Sequence, residues 1–179
     1  CEKYGFDKWH IQPYEHRKYA IEVGKYISQF RPELVVDIGC GLGGLLRHIK
    51  LAETGQGFGY DLSENTIKVA KKLSKSKKLV FQVGTFEQVN FKQTIDYLSA
   101  LGFMHGSPEE KWKPQFEMLL KRNRIHHIVV DIFPEIQETE QYKLDFSKIL
   151  PSNFERMQIM GPFTGSKYVE IWVNRDVES

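Results

Sequence analysis

The chain has 179 residues and a mass of 20.9 kDa, which sets an expectation of one domain able to bury about 70% of its unfolded surface. Its 41% hydrophobic and 27% charged residues are ordinary for a globular protein, and a net charge of +2 selects no class of partner. No apolar run approaches the ~20 residues that span a bilayer, and only Cys1 and Cys40 carry thiols, so neither a membrane anchor, a disulfide scaffold nor a structural zinc site is expected.

The chain opens on Cys1 rather than Met, which reads as a processed, trimmed or excerpted start. Glu2 and Asp7 depart from a signal-peptide pattern, and a disulfide at Cys40, inside the glycine turn, would obstruct the site, so a reducing, cytoplasmic location is expected. Residues 1–12 are aromatic-rich without helical period. Pro13 can open a helix, and Ala20, Val23, Gly24, Ile27 and Phe30 recur at helical spacing up to Pro32.

Alternating elements follow. A strand over Leu34–Ile38 leads to a helix over Leu42–Ala52, then a strand over Gly57–Asp61. Ser63 is placed to cap a helix from Glu64 to Ser74. A third strand covers Leu79–Val83 and a fourth Thr94–Leu101. Pro108 begins a helix to Arg122, and Ile125–Ile132 gives a fifth strand. After the polar stretch 134–141, a short helical piece ends near Leu150. Strands over Phe154–Met160 and Tyr168–Asn174 flank the Gly161–Gly165 turn. Strands alternating with helices imply an α/β fold, a parallel sheet covered on both faces. The closing strand-turn-strand has no room for a helix, so the last strand should run antiparallel.

The chemistry concentrates at Val35-Val36-Asp37-Ile38-Gly39-Cys40-Gly41-Leu42-Gly43-Gly44. A β-branched run ends in an acid, and glycines at alternate positions then let the backbone turn tightly and approach a ligand. Asp37 would repel a pyrophosphate in that turn but attract a cationic ligand. Asp61, about 20 residues further on at the end of the second strand, stands where a carboxylate accepts hydrogen bonds from ribose hydroxyls. One acid for an amino or sulfonium group and one for a ribose diol suit S-adenosylmethionine better than NAD.

At these residues the chain resembles the class I (Rossmann-like) S-adenosylmethionine-dependent methyltransferases. Asp37-Ile38-Gly39-Cys40-Gly41-Leu42-Gly43 is similar to their first motif and Tyr60-Asp61-Leu62-Ser63 to their second. The resemblance extends more weakly over residues 32–175. It implies a three-layer sandwich, with a seven-stranded mostly parallel sheet whose last strand is antiparallel. It also implies that Asp37, Gly39, Gly41 and Gly43 cradle the methionyl part of the cofactor and that Asp61, with Leu62 beside it, holds the ribose. The family often has an acid just after the third strand for the adenine amino group. Here Thr85 stands in that place, followed by Phe86 and Glu87. Thr85 can offer its hydroxyl, Phe86 can pack on adenine, or Glu87 can substitute; the alternative is an ordinary turn with Phe86 in the core.

The exit of the fourth strand, Leu101-Gly102-Phe103-Met104-His105-Gly106, is where such folds bring methyl group and acceptor together. It lacks the Asn/Asp-Pro-Pro-aromatic signature of amino methyltransferases and the Pro-Cys nucleophile of pyrimidine methylation. His105 is the candidate general base, with Asp131 near the exit of the fifth strand to orient or deprotonate an acceptor. A solvated or capping role for His105 and a turn-satisfying role for Asp131 are the alternatives. No metal site is expected. His126 and His127, at the entrance of the fifth strand, read as structural.

Tyr4, Phe6, Trp9, His10 and Tyr14 suggest a lid over the cofactor within residues 1–31, or else aromatics that dock on the sheet edge or pack a homodimer. Trp9-His10 with Pro13-Tyr14 resembles methyltransferases encoded among surface-polysaccharide genes. Lys68, Lys71, Lys72, Lys75, Lys77 and Lys78 form a basic run without interleaved stacking aromatics, which argues against a nucleic-acid partner. The expected activity is methyl transfer from S-adenosylmethionine to a small molecule or sugar hydroxyl, in surface-polysaccharide or secondary metabolism. The alternatives are an RNA or tRNA methyltransferase, a dinucleotide-dependent oxidoreductase, and a cofactor-binding but inactive partner subunit.

Overall fold

The computed structural model describes residues 17–134 and 142–177. Tyr4, Phe6, Trp9, His10 and Tyr14, with the lid and dimer expectations attached to them, lie outside the described residues. In chain order the elements are α1 (Lys18–Ser28), β1 (Leu34–Ile38), α2 (Gly44–His48), β2 (Gln56–Asp61), α3 (Glu64–Leu73), β3 (Leu79–Val83), β4 (Ile95–Ala100), α4 (Glu109–Arg122), β5 (Ile125–Ile132), α5 (Phe146–Ile149), β6 (Phe154–Phe163) and β7 (Lys167–Asn174).

The seven strands form one sheet in the order β3-β2-β1-β4-β5-β7-β6. Pairing is parallel from β3 through β5, and β7 runs antiparallel to both β5 and β6. The expected antiparallel last strand is therefore present, inserted between β5 and β6. Strand order reverses between β1 and β4. Such a switch opens a crevice beyond the carboxyl ends of these strands, which is where ligands of open α/β sheets bind.

Burial follows from sequence. All five residues of β1 are buried, as expected of a central parallel strand covered on both faces. On one face Val23 and Ile27 of α1, Leu46 of α2, and Ile67 and Ala70 of α3 pack against Val35, Phe81, Tyr97 and Val129. On the other, Trp112, Phe116 and Leu119 of α4 join Phe146 and Ile149 of α5 over Val36, Leu98, Ile128 and Val130. Each such fully buried side chain stabilises the fold by about 1.5–3 kcal/mol. Three layers result.

Two helices are shorter than their hydrophobic patterns suggest. The expected helix over 42–52 is reduced to α2, because the backbone turns extended at Ile49. The Lys50 amide then donates to Ser28 Oγ (2.8 Å) and the Ala52 amide to the Pro32 carbonyl (2.9 Å). These bonds draw the chain toward β2. Likewise α1 ends at Ser28, so Phe30 falls beyond the helix and is 54% exposed rather than buried on its face. The expected cap on α3 is present: Ser63 Oγ accepts the Thr66 amide at 3.2 Å.

Candidate active site

β1 carries Asp37 to the mouth of the crevice, where its carboxyl is 4% exposed. The Ser99 hydroxyl of β4 donates to Asp37 Oδ1 at 2.6 Å. Burial pushes the Asp37 carboxyl up to about 7; the Ser99 hydrogen bond opposes that rise and the Asp61 charge adds to it. The carboxyl thus stands ready to ionise beside a cation.

The glycine bend follows, with φ of +67° at Gly39 and +73° at Gly43. A Cβ at Gly39 would stand 2.5 Å from the Phe103 ring, and one at Gly43 would stand 2.5 Å from the Phe81 ring. At both positions the need for glycine thus comes from aromatics packed behind the bend as well as from the left-handed backbone. Between them, the Gly41 amide donates to Asp61 Oδ2 (3.0 Å), while Asp61 Oδ1 accepts the Ser63 amide (2.9 Å). One carboxylate at the end of β2 thereby fixes both the bend and the entry to α3.

Asp37, Gly39, Gly41 and Asp61 line one cavity of about 220 Å³, together with Arg17, Tyr19, Leu101, Gly102 and Phe103. The structure brings these four expected residues together from two segments, the end of β1 with its bend and the end of β2. Gly43 is outside the lining; it precedes the first residue of α2 with Phe81 at its back. Leu62 is also outside the lining and is 76% exposed, beside Asp61 in sequence. Thr85 is engaged locally: its hydroxyl donates to Gln88 Oε1 (3.1 Å) and accepts the Glu87 amide (3.3 Å), capping a single 3₁₀ turn. Phe86 is 3% exposed and packs against Phe103 and Phe116, so the turn is built with its aromatic in the core.

His105 and Asp131 lie behind the cavity wall rather than in it. Asp131, 1% exposed on β5, accepts the Gly102 amide with both carboxylate oxygens at 3.0 Å. His105, 6% exposed, holds its ring against Phe133 and places Nδ1 3.8 Å from Asp131 Oδ2. Burial lowers the His105 pKa, with Asp131 raising it and Lys167 lowering it. Lys167 itself, at the start of β7, sets Nζ 2.8 Å from Asp131 Oδ2. Lys167, Arg17 and Tyr19 carried no signal in the sequence. Lys167 sits after Gly165-Ser166 and reads as a turn residue, and the β5–β7 pairing that brings it to Asp131 leaves no local trace. Among the described residues no group of three or more His, Cys, Asp or Glu could hold a metal ion.

A parallel sheet with its switch at β1/β4 thus gathers an acid at the end of β1, a glycine bend and a second acid at the end of β2 around one cavity. The chain belongs to the class I S-adenosylmethionine-dependent methyltransferases: a family model described as methyltransferase domain matches residues 35–124, half of the chain. Similar solved structures include magnesium protoporphyrin IX methyltransferase from Synechocystis PCC 6803 with bound S-adenosylhomocysteine. It has a TM-score of 0.71 and 19% identity, with 89% of this chain and 84% of that chain covered. The PH0226 protein from Pyrococcus horikoshii OT3 has a TM-score of 0.68 and 16% identity, covering 97% and 99% of the two chains. Human N-acetylserotonin methyltransferase, in complex with S-adenosylmethionine, has a TM-score of 0.63 and 15% identity, covering 88% and 51%. Among curated proteins none matches the chain significantly. No helix among the described residues is long and apolar enough to cross a membrane.

Proposed function

We propose that this chain transfers a methyl group from S-adenosylmethionine to a hydroxyl of a small molecule or sugar. The observation that carries this reading is the convergence of Asp37 and Asp61 on one cavity across the glycine bend. The residues present fit the cofactor. A buried carboxyl poised to ionise suits a ligand that carries an ammonium and a sulfonium, and two acids on one small cavity oppose a diphosphate. Asp61 would hold the ribose diol. Exposed Leu62, adjacent in sequence, would offer adenine an apolar face; Glu87, also exposed, is the remaining candidate in the 85–87 turn for its amino group.

When bound, S-adenosylmethionine supplies an electrophilic methyl on its own leaving group, so the protein's task is to align the reactants and exclude water. Leu101, Gly102 and Phe103 form the wall at the exit of β4, held by the Asp131 carboxylate. His105 stands behind that wall and would accept the hydroxyl proton from an acceptor whose hydroxyl reaches its ring. Burial keeps its ring neutral near pH 7, and a neutral imidazole is the form that serves as a base. Porphyrin and N-acetylserotonin methyltransferases among the similar folds support a small-molecule acceptor. In sequence, the run from Lys68 to Lys78 contains no aromatic residue to stack on nucleic-acid bases.

Isothermal titration with S-adenosylmethionine, S-adenosylhomocysteine and NAD tests the cofactor assignment, with binding expected for the first two alone. Transfer of a labelled methyl group to a panel of hydroxylated small molecules and sugars, with RNA alongside, tests the acceptor class. Binding of NAD in their place, or methylation of RNA only, would overturn the reading.

A further inference from the structure

Lys167 is 3% exposed, an unusual place for an ammonium, and its surroundings show what it does there. Nζ is 2.8 Å from Asp131 Oδ2, 4.0 Å from the centroid of the Tyr19 ring and 5.3 Å from that of Phe133. Tyr19 lines the cofactor cavity, Phe133 packs on His105, and Asp131 holds the Gly102 amide of the cavity wall. The lysine therefore touches both components of the site from behind, through residues of α1, β5 and the segment after β5.

We propose that Lys167 is a positioning residue for the methyl-transfer centre: it holds the Asp131 side chain where it anchors the Gly102 wall and orients His105 as an Nδ1–H tautomer. The proposal rests on the methyltransferase reading and adds a third member to the pair already placed there. The Asp131 side chain meets two demands at once, and the 2.8 Å contact with Lys167 Nζ fixes where its oxygens stand. One demand is the Gly102 amide. The other is His105 Nδ1, which is fully buried, has no hydrogen-bond partner among the described residues, and stands 3.8 Å from Oδ2. In the proposed arrangement Nδ1–H points toward that oxygen. The lone pair then resides on Nε2, the nitrogen left to take a proton. Among the described residues the charged groups that act on the imidazole are Asp131 on β5 and Lys167 on β7; Tyr19 on α1, its hydroxyl pushed up to about 12 mainly by burial, lies against Lys167.

The test follows His105 by heteronuclear NMR, its resonances assigned from a His105→Gln variant. In the unmutated protein near pH 8 the ring should be the Nδ1–H tautomer; the Nε2–H tautomer would overturn the proposal without any substitution of Lys167. Lys167→Met should move the His105 titration up by about one pH unit, Asp131→Asn should move it down, and Lys167→Arg should leave it in place. Lys167→Met should also weaken S-adenosylhomocysteine binding about tenfold as the Gly102 wall loosens, with Lys167→Arg restoring it. A folded Lys167→Met protein whose His105 titrates as before sinks the inference. Failure of the unmutated protein to bind S-adenosylhomocysteine sinks the methyltransferase reading, and leaves the histidine titration standing as a separate result.

Discussion

Burying Asp37 costs stability, and the proposed cofactor role would put the same carboxyl to use in binding. Its ordinary carboxyl value of 3.8 is raised to about 7 in the fold by burial. Between those two values the folded chain holds a proton that the unfolded chain has released. Stability therefore falls as pH rises from about 4 to 7 and is flat above, where the full charging penalty applies; that penalty is on the order of 2–4 kcal/mol. Asp37→Asn keeps an oxygen for the Ser99 hydroxyl and removes the charge. It should melt higher than the native protein at pH 8 and equal to it near pH 4, by calorimetry. The same variant should bind S-adenosylmethionine more weakly by about 1–3 kcal/mol, because the cationic ligand loses its ionised partner. In the native protein the proton must leave before the cation is held, so below pH 7 affinity should drop about tenfold per pH unit. An affinity independent of pH between 5 and 7 would remove Asp37 from the cation-binding role. Asp61 works differently, since its carboxylate already accepts the Gly41 and Ser63 amides. Asp61→Ala should therefore weaken S-adenosylhomocysteine binding by roughly 1–3 kcal/mol and also lower the melting temperature. Unchanged affinity would show that its carboxylate serves the bend alone.

The bend between β1 and α2 is the element whose sequence and geometry correspond most directly. Its alternating glycines announce a sharp turn, and all three of the first have positive φ. What the pattern does not announce is why glycine is demanded, because Phe103 and Phe81 arrive from segments about 40–60 residues away. Gly39→Ala should cost roughly 1–3 kcal/mol in urea denaturation, from the strained backbone and the Phe103 contact together. In a Phe103→Ala background the cost should shrink by at least about 0.5 kcal/mol, since the clashing ring is gone. Full additivity would place the whole penalty in the backbone. Strand positions and the order of elements were legible for the same reason that β1 is wholly buried: β-branched runs bounded by turn residues have few other folds available. Helix ends were less so. α2 stops because Ser28 and Pro32 capture the following amides, and those are tertiary partners that no helical period encodes.

Across the whole sheet, the proposed recognition groups and a separate set of buried polar contacts stand at opposite ends. The two acids, the bend and the Lys167–Asp131–His105 group gather at the carboxyl ends of β1, β2, β4 and β5. The acids were readable from the sequence because they sit beside the glycines, whereas Lys167 depends on an antiparallel pairing between strands whose first residues are 42 positions apart. The amino ends show a different chemistry. There the Asp96 carboxylate accepts the Glu33 and Leu34 amides, and the His127 ring stacks on Tyr97 at 4.4 Å with an 8° interplanar angle. His127 Nδ1 is 3.1 Å from the Asp96 carbonyl oxygen, and His126 lies against the same ring at 4.1 Å. Burial lowers the His127 pKa to about 4, with the neighbouring His126 adding to the fall. An unfolded histidine takes its proton near 6.5, so between 6.5 and 4 the unfolded chain binds a proton that the fold refuses. Stability supplied by the neutral ring is thus complete above pH 6.5 and drains away down to pH 4. After allowance for screening at this half-buried site, the loss should be about 1–2 kcal/mol. His127→Phe retains a ring to stack on Tyr97 but nothing to protonate. Its stability, followed by urea denaturation, should decline less steeply than the native protein's between pH 6.5 and 4. Because His127 lies at the far end of the sheet from Asp37 and Asp61, the same substitution should leave S-adenosylhomocysteine affinity unchanged at pH 8. If affinity falls together with the acid response, the two ends of the sheet are coupled, and stability and binding are not separately encoded in this fold.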